Sequence, residues 1–127
     1  MCLEDAQAVV ESGAKALVVS NHGGRVLDYG QGVAEVLPDI ASAFKNNIQI
    51  IVDGACRTGY DVIKYLALGA NFAMIGRPIA RMSLAGGPEA VKAYLDFVEG
   101  ELRRAMLMTG CDSVEQISSS ILINTKL

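Results

Sequence analysis

Ala16-Leu17-Val18-Val19-Ser20-Asn21-His22-Gly23-Gly24-Arg25 is a short apolar run that empties into a glycine turn carrying the only histidine of the chain. A run of this kind bounded by turn residues predicts a buried strand, with the glycines as its exit. Working outward, the same plan recurs twice. Ile48-Gln49-Ile50-Ile51-Val52-Asp53-Gly54-Ala55-Cys56-Arg57-Thr58-Gly59 and Phe72-Ala73-Met74-Ile75-Gly76-Arg77-Pro78 each pass from apolar residues to glycine and then arginine. Each also leads toward an amphipathic segment. Strands alternating with helical patterns predict right-handed βαβ units and a parallel sheet, whose buried strands are continuously apolar. In such sheets ligands collect at the carboxyl ends of the strands, and in a β/α barrel that face carries the active site. The polar residues stand at that end three times over.

The 127 residues, 51% of them hydrophobic, suffice for one domain with a core, and we expect a single domain over 1–127. A net charge of −3 removes any bulk electrostatic reason to bind nucleic acid. No apolar run approaches the roughly 18 residues of a membrane span, and the first residues lack the basic and apolar regions of a signal peptide. Cys2, Cys56 and Cys111 are odd in number and widely spaced, which predicts reduced thiols in a cytoplasmic protein and no metal framework. Three parallel strands cannot close a barrel and leave two open edges. Either the chain is a piece of a larger barrel or copies of it associate.

In chain order, residues 3–12 predict a helix with Ala6, Val9 and Val10 on one side and acids in its first turn, stopped by Gly13. A strand follows at 16–19, a turn at 20–25, and a loop at 26–32 that contains Tyr29 and is long enough to lie over a site. Apolar positions from Val33 to Phe44 form a helical stripe interrupted by Pro38, which either opens the main helix or kinks it. Strands are expected at 48–52 and 72–75, with a helix at 60–68 between them. A loop is expected at 81–88, then a helix from Glu89 to about Thr109 that tolerates Gly100 and is capped by Gly110. Asp112 or Ser113 then caps a short helix through Ile117, and residues 118–120 form a peripheral tail.

The second and third strand ends make the clearest chemical signal. Small residues at Asp53-Gly54-Ala55 and Gly76 free backbone N–H groups, and Arg57 and Arg77 stand beside them. Such a nest suits a phosphate monoester, since arginine matches phosphate with paired donors. The same spacing also fits two surface arginines after tight turns. Arg77 precedes Pro78, which biases it to an extended conformation. His22 is a candidate base near neutral pH, with Arg25 placed to clamp a carboxylate; the alternative is a histidine that only serves its turn. Asp53 is either an acid partner or the cap of its own turn. Ser20 lacks the elbow motif of a nucleophile. Cys56 lies beside Arg57, although burial is the commoner fate of such a cysteine. Tyr29, Tyr60, Tyr65 and Tyr94 are scattered, so packing is their expected role.

Four ordered motifs carry a resemblance. Ser20-Asn21-His22-Gly23-Gly24-Arg25, Val52-Asp53-Gly54-Ala55-Cys56-Arg57-Thr58-Gly59, Leu66-Ala67-Leu68-Gly69-Ala70 and Ile75-Gly76-Arg77-Pro78 resemble the FMN-dependent α-hydroxy acid oxidases and dehydrogenases, of the glycolate oxidase and lactate oxidase type. The likeness extends to Leu107-Met108-Thr109-Gly110-Cys111 and covers essentially the whole chain. It implies an α/β fold, a partial TIM (β/α)8 barrel of about three carboxyl-terminal βα units, strands 6 to 8, preceded by a helix. It implies FMN as cofactor and a small (S)-2-hydroxy acid of the lactate or glycolate type as substrate, oxidised to the 2-oxo acid. Reduced flavin then passes its electrons to oxygen or to another acceptor.

By the resemblance, His22 is the base and Arg25 the carboxylate clamp. Arg57, Gly76 and Arg77 hold the FMN phosphate, Asp53 meets the ribityl chain, Gly54 and Ala55 offer backbone, and Ser20 lies close to the flavin. The chain departs from the family at Ala55, where glycine is usual; a methyl is tolerable there if φ is negative. The family's active-site tyrosines, the acid paired with the histidine and the lysine near the flavin belong to an earlier half, and Met1 matches an internal position. The chain alone is therefore expected to be inactive or nearly so. Its expected partners are the missing amino-terminal half or further copies of itself, with no nucleic acid or membrane. The other readings are a half-barrel that binds FMN or another phosphate ligand without turnover, and a structural remnant that self-associates.

Overall fold

The computed structural model describes residues 1–123, so the last four residues of the expected domain lie outside it. Helix α1 (Leu3–Glu11) leads to strand β1 (Ala16–Ser20), α2 (Val33–Phe44) to β2 (Gln49–Asp53), and α3 (Gly59–Ala67) to β3 (Phe72–Met74). A long α4 (Arg77–Thr109) and two 3-10 turns, Val114–Gln116 and Ser119–Ile121, complete the described chain. The strands pair in parallel in the order β1-β2-β3.

Register and pleat divide each strand between two faces. Leu17 and Val19 of β1, Ile50 and Val52 of β2 and Ala73 of β3 turn toward α1 and α2, whose Ala6, Val33, Val36, Leu37, Ile40 and Ala41 fill the first core. The opposite face is uncovered: Val18, Phe72 and Met74 are 49%, 59% and 48% exposed. The apolar runs on which the strand assignment rests thus bury one side only.

Pro38 neither opens nor ends α2. The helix begins at Val33, where Glu35 Oε2 accepts the N–H of Gly32 at 3.0 Å, and runs through the proline to Phe44. The loop expected at 81–88 is a correction. The chain turns helical at Arg77, with Pro78 in the first turn instead of following an extended residue, and stays helical except at Gly86 (φ −158°, ψ 20°) and Gly87 (φ 61°, ψ −151°). Residues 79–85 are mostly competent helix formers, and the two glycines alone absorb the break because Gly87 takes a left-handed φ at little steric cost. Pro88 then starts the second segment.

That second segment packs on α3. Ile63, Ala67, Ala105, Cys111 and Ile117 form a second core, against which Ile121 and Leu122 rest, while Ser118–Ser120 are exposed as expected of a peripheral tail. The short helix expected to end at Ile117 is a single 3-10 turn at Val114–Gln116 with no side-chain cap. The two helices come close at Gly59, where a Cβ would stand 2.2 Å from the Leu102 nitrogen and 2.3 Å from the Val98 oxygen. Both obstacles are backbone. Gly59→Ala is expected to lower the unfolding free energy by about 3 kcal/mol or more, read from urea denaturation curves.

Candidate functional site

Parallel register sets Ser20 opposite Asp53 and Asp53 opposite Met74, so the three strands finish in one row. Ser20 Oγ donates to Asp53 Oδ2 at 2.7 Å and accepts the N–H of His22 at 3.0 Å. The serine thereby fixes where the turn beyond β1 begins. Asn21 Oδ1 accepts the N–H of Gly23 at 3.0 Å, an Asx turn that closes a 3-10 turn over His22–Gly24. His22 holds φ 54°, and Val26, one residue after Arg25, holds φ 71° while Leu27 N–H bonds back to Arg25 O at 2.8 Å. Left-handed backbone at two residues with a Cβ costs roughly 1–2 kcal/mol each. The strain brackets Arg25.

At the end of β2, Gly54 is buried with no room for a side chain, since a Cβ would meet Val33 Cγ2 at 2.7 Å. Ala55 is a correction: its φ is +51°, not negative. At this left-handed turn the N–H groups of Ala55 and Cys56 have no acceptor among the described residues. Asp61 Oδ2 accepts the N–H groups of Arg57 and Thr58, each at 3.1 Å, and Thr58 Oγ1 accepts that of Asp61 at 3.1 Å. Tyr65 donates to Gly54 O at 2.6 Å, Tyr94 donates to Arg57 O, and Glu101 Oε2 accepts the N–H of Gly59 at 3.0 Å.

Those last anchors escaped the sequence reading. Thr58 and Asp61 have capping-box spacing and were open to detection, whereas nothing local marks Tyr65, Tyr94 or Glu101. Burial, with Cys56, Asp61 and Asp53 nearby, pushes the Tyr65 hydroxyl above the usual tyrosine range, so it remains a donor at ordinary pH. Burial and Asp61 likewise push the Cys56 thiol up to about 11.

From β3 come Gly76 and Arg77, and the Arg77 guanidinium lies against the β1 turn, 3.5 Å from where a Gly23 Cβ would be. The three exits enclose a hollow of about 200 Å³. His22, Arg25, Asp53, Gly54, Ala55, Arg57, Gly76 and Arg77 line it; Ser20 does not, standing behind Asp53. Three guanidinium groups face one carboxylate, with free amides at Ala55 and Cys56 and the first turn of α4 nearby. This donor set fits the phosphate end of FMN, which asks for dianion recognition by arginines and backbone N–H groups. Among the described residues, no group of three or more His, Cys, Asp or Glu is arranged to hold a metal ion, and no helix is long and apolar enough to cross a membrane.

A family model described as FMN-dependent dehydrogenase matches residues 1–124. The L-lactate dehydrogenase of Caulobacter sp. (strain K31) is 44% identical over 122 residues, 96% of this chain and 32% of that protein. The 2-hydroxyacid oxidase 2 of Rattus norvegicus is 40% identical over 124 residues, 98% of this chain and 35% of that protein. A solved structure of mandelate oxidase with benzoyl-formic acid is similar at a TM-score of 0.90 and 40% identity, covering 100% of this chain and 37% of the other. The chain spans about a third of the length of the curated relatives it matches.

The thiols provide a check on the β2 exit. Cys2 is exposed, while Cys56 is 4% exposed, and at pH 8 a thiol titrating near 11 is ionised in roughly one molecule per thousand. Brief iodoacetamide treatment at pH 8 is expected to alkylate Cys2 and leave Cys56 unmodified until denaturant is added, as peptide mass spectrometry reads.

Proposed function

The chain belongs to the FMN-dependent dehydrogenase family, and from that premise we propose that it forms strands 6 to 8 of a TIM-barrel oxidoreductase that oxidises a small (S)-2-hydroxy acid to the 2-oxo acid. One observation carries the proposal: His22, Arg25, Arg57 and Arg77, drawn from three strand exits, line one hollow. Bound FMN supplies the acceptor for the two electrons. Arg57 and Arg77, with the amides of Ala55 and Cys56 and the Gly76 turn, hold its phosphate. Asp53, tied to Ser20, would accept from a ribityl hydroxyl, and Gly54 would let the backbone come close.

Toward the substrate, Arg25 pairs with the carboxylate and so orients the α-carbon. An imidazole nitrogen of His22 takes the proton that leaves the 2-hydroxy acid as it is oxidised. The left-handed turn at His22 supports this division, because His22 and Arg25, three residues apart in one loop, line the same hollow. The one carboxylate in the hollow's lining, Asp53, is already engaged by Ser20. Full turnover accordingly needs the remainder of the barrel, and the chain alone retains chiefly the nucleotide's phosphate end.

The uncovered face of the sheet supports a second reading, association through Val18, Phe72 and Met74. It predicts dimers or larger species at micromolar concentration, and light scattering that gives a monomer of 13.4 kDa in dilute solution would contradict it.

For the principal reading, titration of the purified chain with FMN is expected to quench flavin fluorescence and raise the thermal midpoint. Arg77→Met is expected to weaken binding by roughly 10- to 100-fold, the range of a lost charged hydrogen bond. No response to millimolar FMN would defeat the proposal. Anaerobic bleaching of bound flavin by lactate or glycolate is expected to be slow in this chain and abolished by His22→Asn.

A further inference from the structure

Asp61 and Tyr65 shape the loop 54–58 from within its own βα unit, but two of its anchors come from far along the chain. Tyr94 donates to the carbonyl of Arg57 across 37 positions, and Glu101 accepts the N–H of Gly59 across 42. Both lie on the second segment of α4, whose first residue is Arg77. We propose that Tyr94 and Glu101 are positioning residues that hold Arg57 at a set separation from Arg77, so that α4 couples the two guanidinium groups of the phosphate site; this rests on the FMN-binding reading given above.

The geometry of α4 makes the coupling possible. The break at Gly86–Gly87 turns the helix, so one element starts at the β3 exit and returns along α3 past the β2 exit. Close contact at Gly59 leaves no slack between α3 and α4, which makes the two anchors report on the position of the helix as a whole. Glu101 has a second effect. It is 8% exposed and, with Asp61, it places carboxylate oxygens on the amides at the start of α3. An α-helix amino terminus is itself an anion site. Here that site is already filled by the chain's own carboxylates, which leaves the hollow with Arg57 and Arg77 as the place for a phosphate. Burial keeps the Tyr94 hydroxyl protonated at ordinary pH, so it serves as a constant donor.

The test compares FMN with riboflavin, which lacks only the phosphate, by fluorescence titration of the unmodified chain, Tyr94→Phe, Glu101→Gln and Glu101→Leu. Tyr94→Phe is expected to weaken FMN binding by roughly three- to tenfold, the range of one lost hydrogen bond, with riboflavin binding and the thermal midpoint of the free chain unchanged. Glu101→Gln keeps an acceptor oxygen and should bind FMN like the parent, whereas Glu101→Leu should weaken it. If Glu101→Leu fails to fold, Tyr94→Phe decides alone. Tyr94→Phe with unchanged FMN affinity, or with FMN and riboflavin weakened equally, overturns the positioning role while leaving the FMN-binding reading intact. Failure of the unmodified chain to bind FMN removes that reading and this inference with it.

Discussion

Parallel pairing imposes one constraint from which the rest of this structure follows: all strands leave the sheet on the same side. Because β1, β2 and β3 are held in register, Ser20, Asp53 and Met74 end in one row, and every exit loop begins within reach of its neighbours. A histidine and three arginines widely separated in the chain thereby come to line one hollow. The Ser20–Asp53 hydrogen bond joins two of those exits directly, and through the N–H of His22 it sets the start of the strained turn.

Strain and support are distributed accordingly. His22, Val26 and Ala55 carry left-handed backbone at the exits, and strain of this kind gathers at ligand sites whose surroundings over-determine it. The support lies behind them. Asp61 and Tyr65 brace the β2 exit locally, and α4 braces it from a distance while contributing Arg77 from its own start. The other side of the sheet has no such backing: Val18, Phe72 and Met74 present an apolar surface that the described residues leave open. A site at the rim and a bare inner face are what a section of barrel wall looks like.

Much of this was legible before any coordinates. Apolar runs closed by glycine gave three strands to within a residue or so at each end, since strand burial leaves a continuous signature. The stripe through Val33, Val36, Leu37 and Ile40 located α2 despite Pro38. Errors fell where local signals conflict. Residues 81–88 contain Gly-Gly-Pro, a strong loop signal, yet helical residues on both sides win and the glycines serve as a joint. Arg77 before proline suggested extended chain, but Gly76 starts a helix there in which Pro78 fits the first turn. Ala55 takes the conformation that glycine would favour, because the surrounding anchors impose it.

The sequence by itself determined the alternation of strands and helices, the side of the sheet on which polar residues gather, and the identity of the candidate imidazole and guanidinium groups. These follow from periodicity and turn chemistry, which act over a few residues. Only the tertiary structure decided that Tyr94 reaches Arg57, that Glu101 is buried against Gly59, and that Arg77 lies beside Gly23. Such contacts join residues dozens of positions apart through the path of α4, and no local pattern encodes the distance between two segments that meet only after the chain has folded.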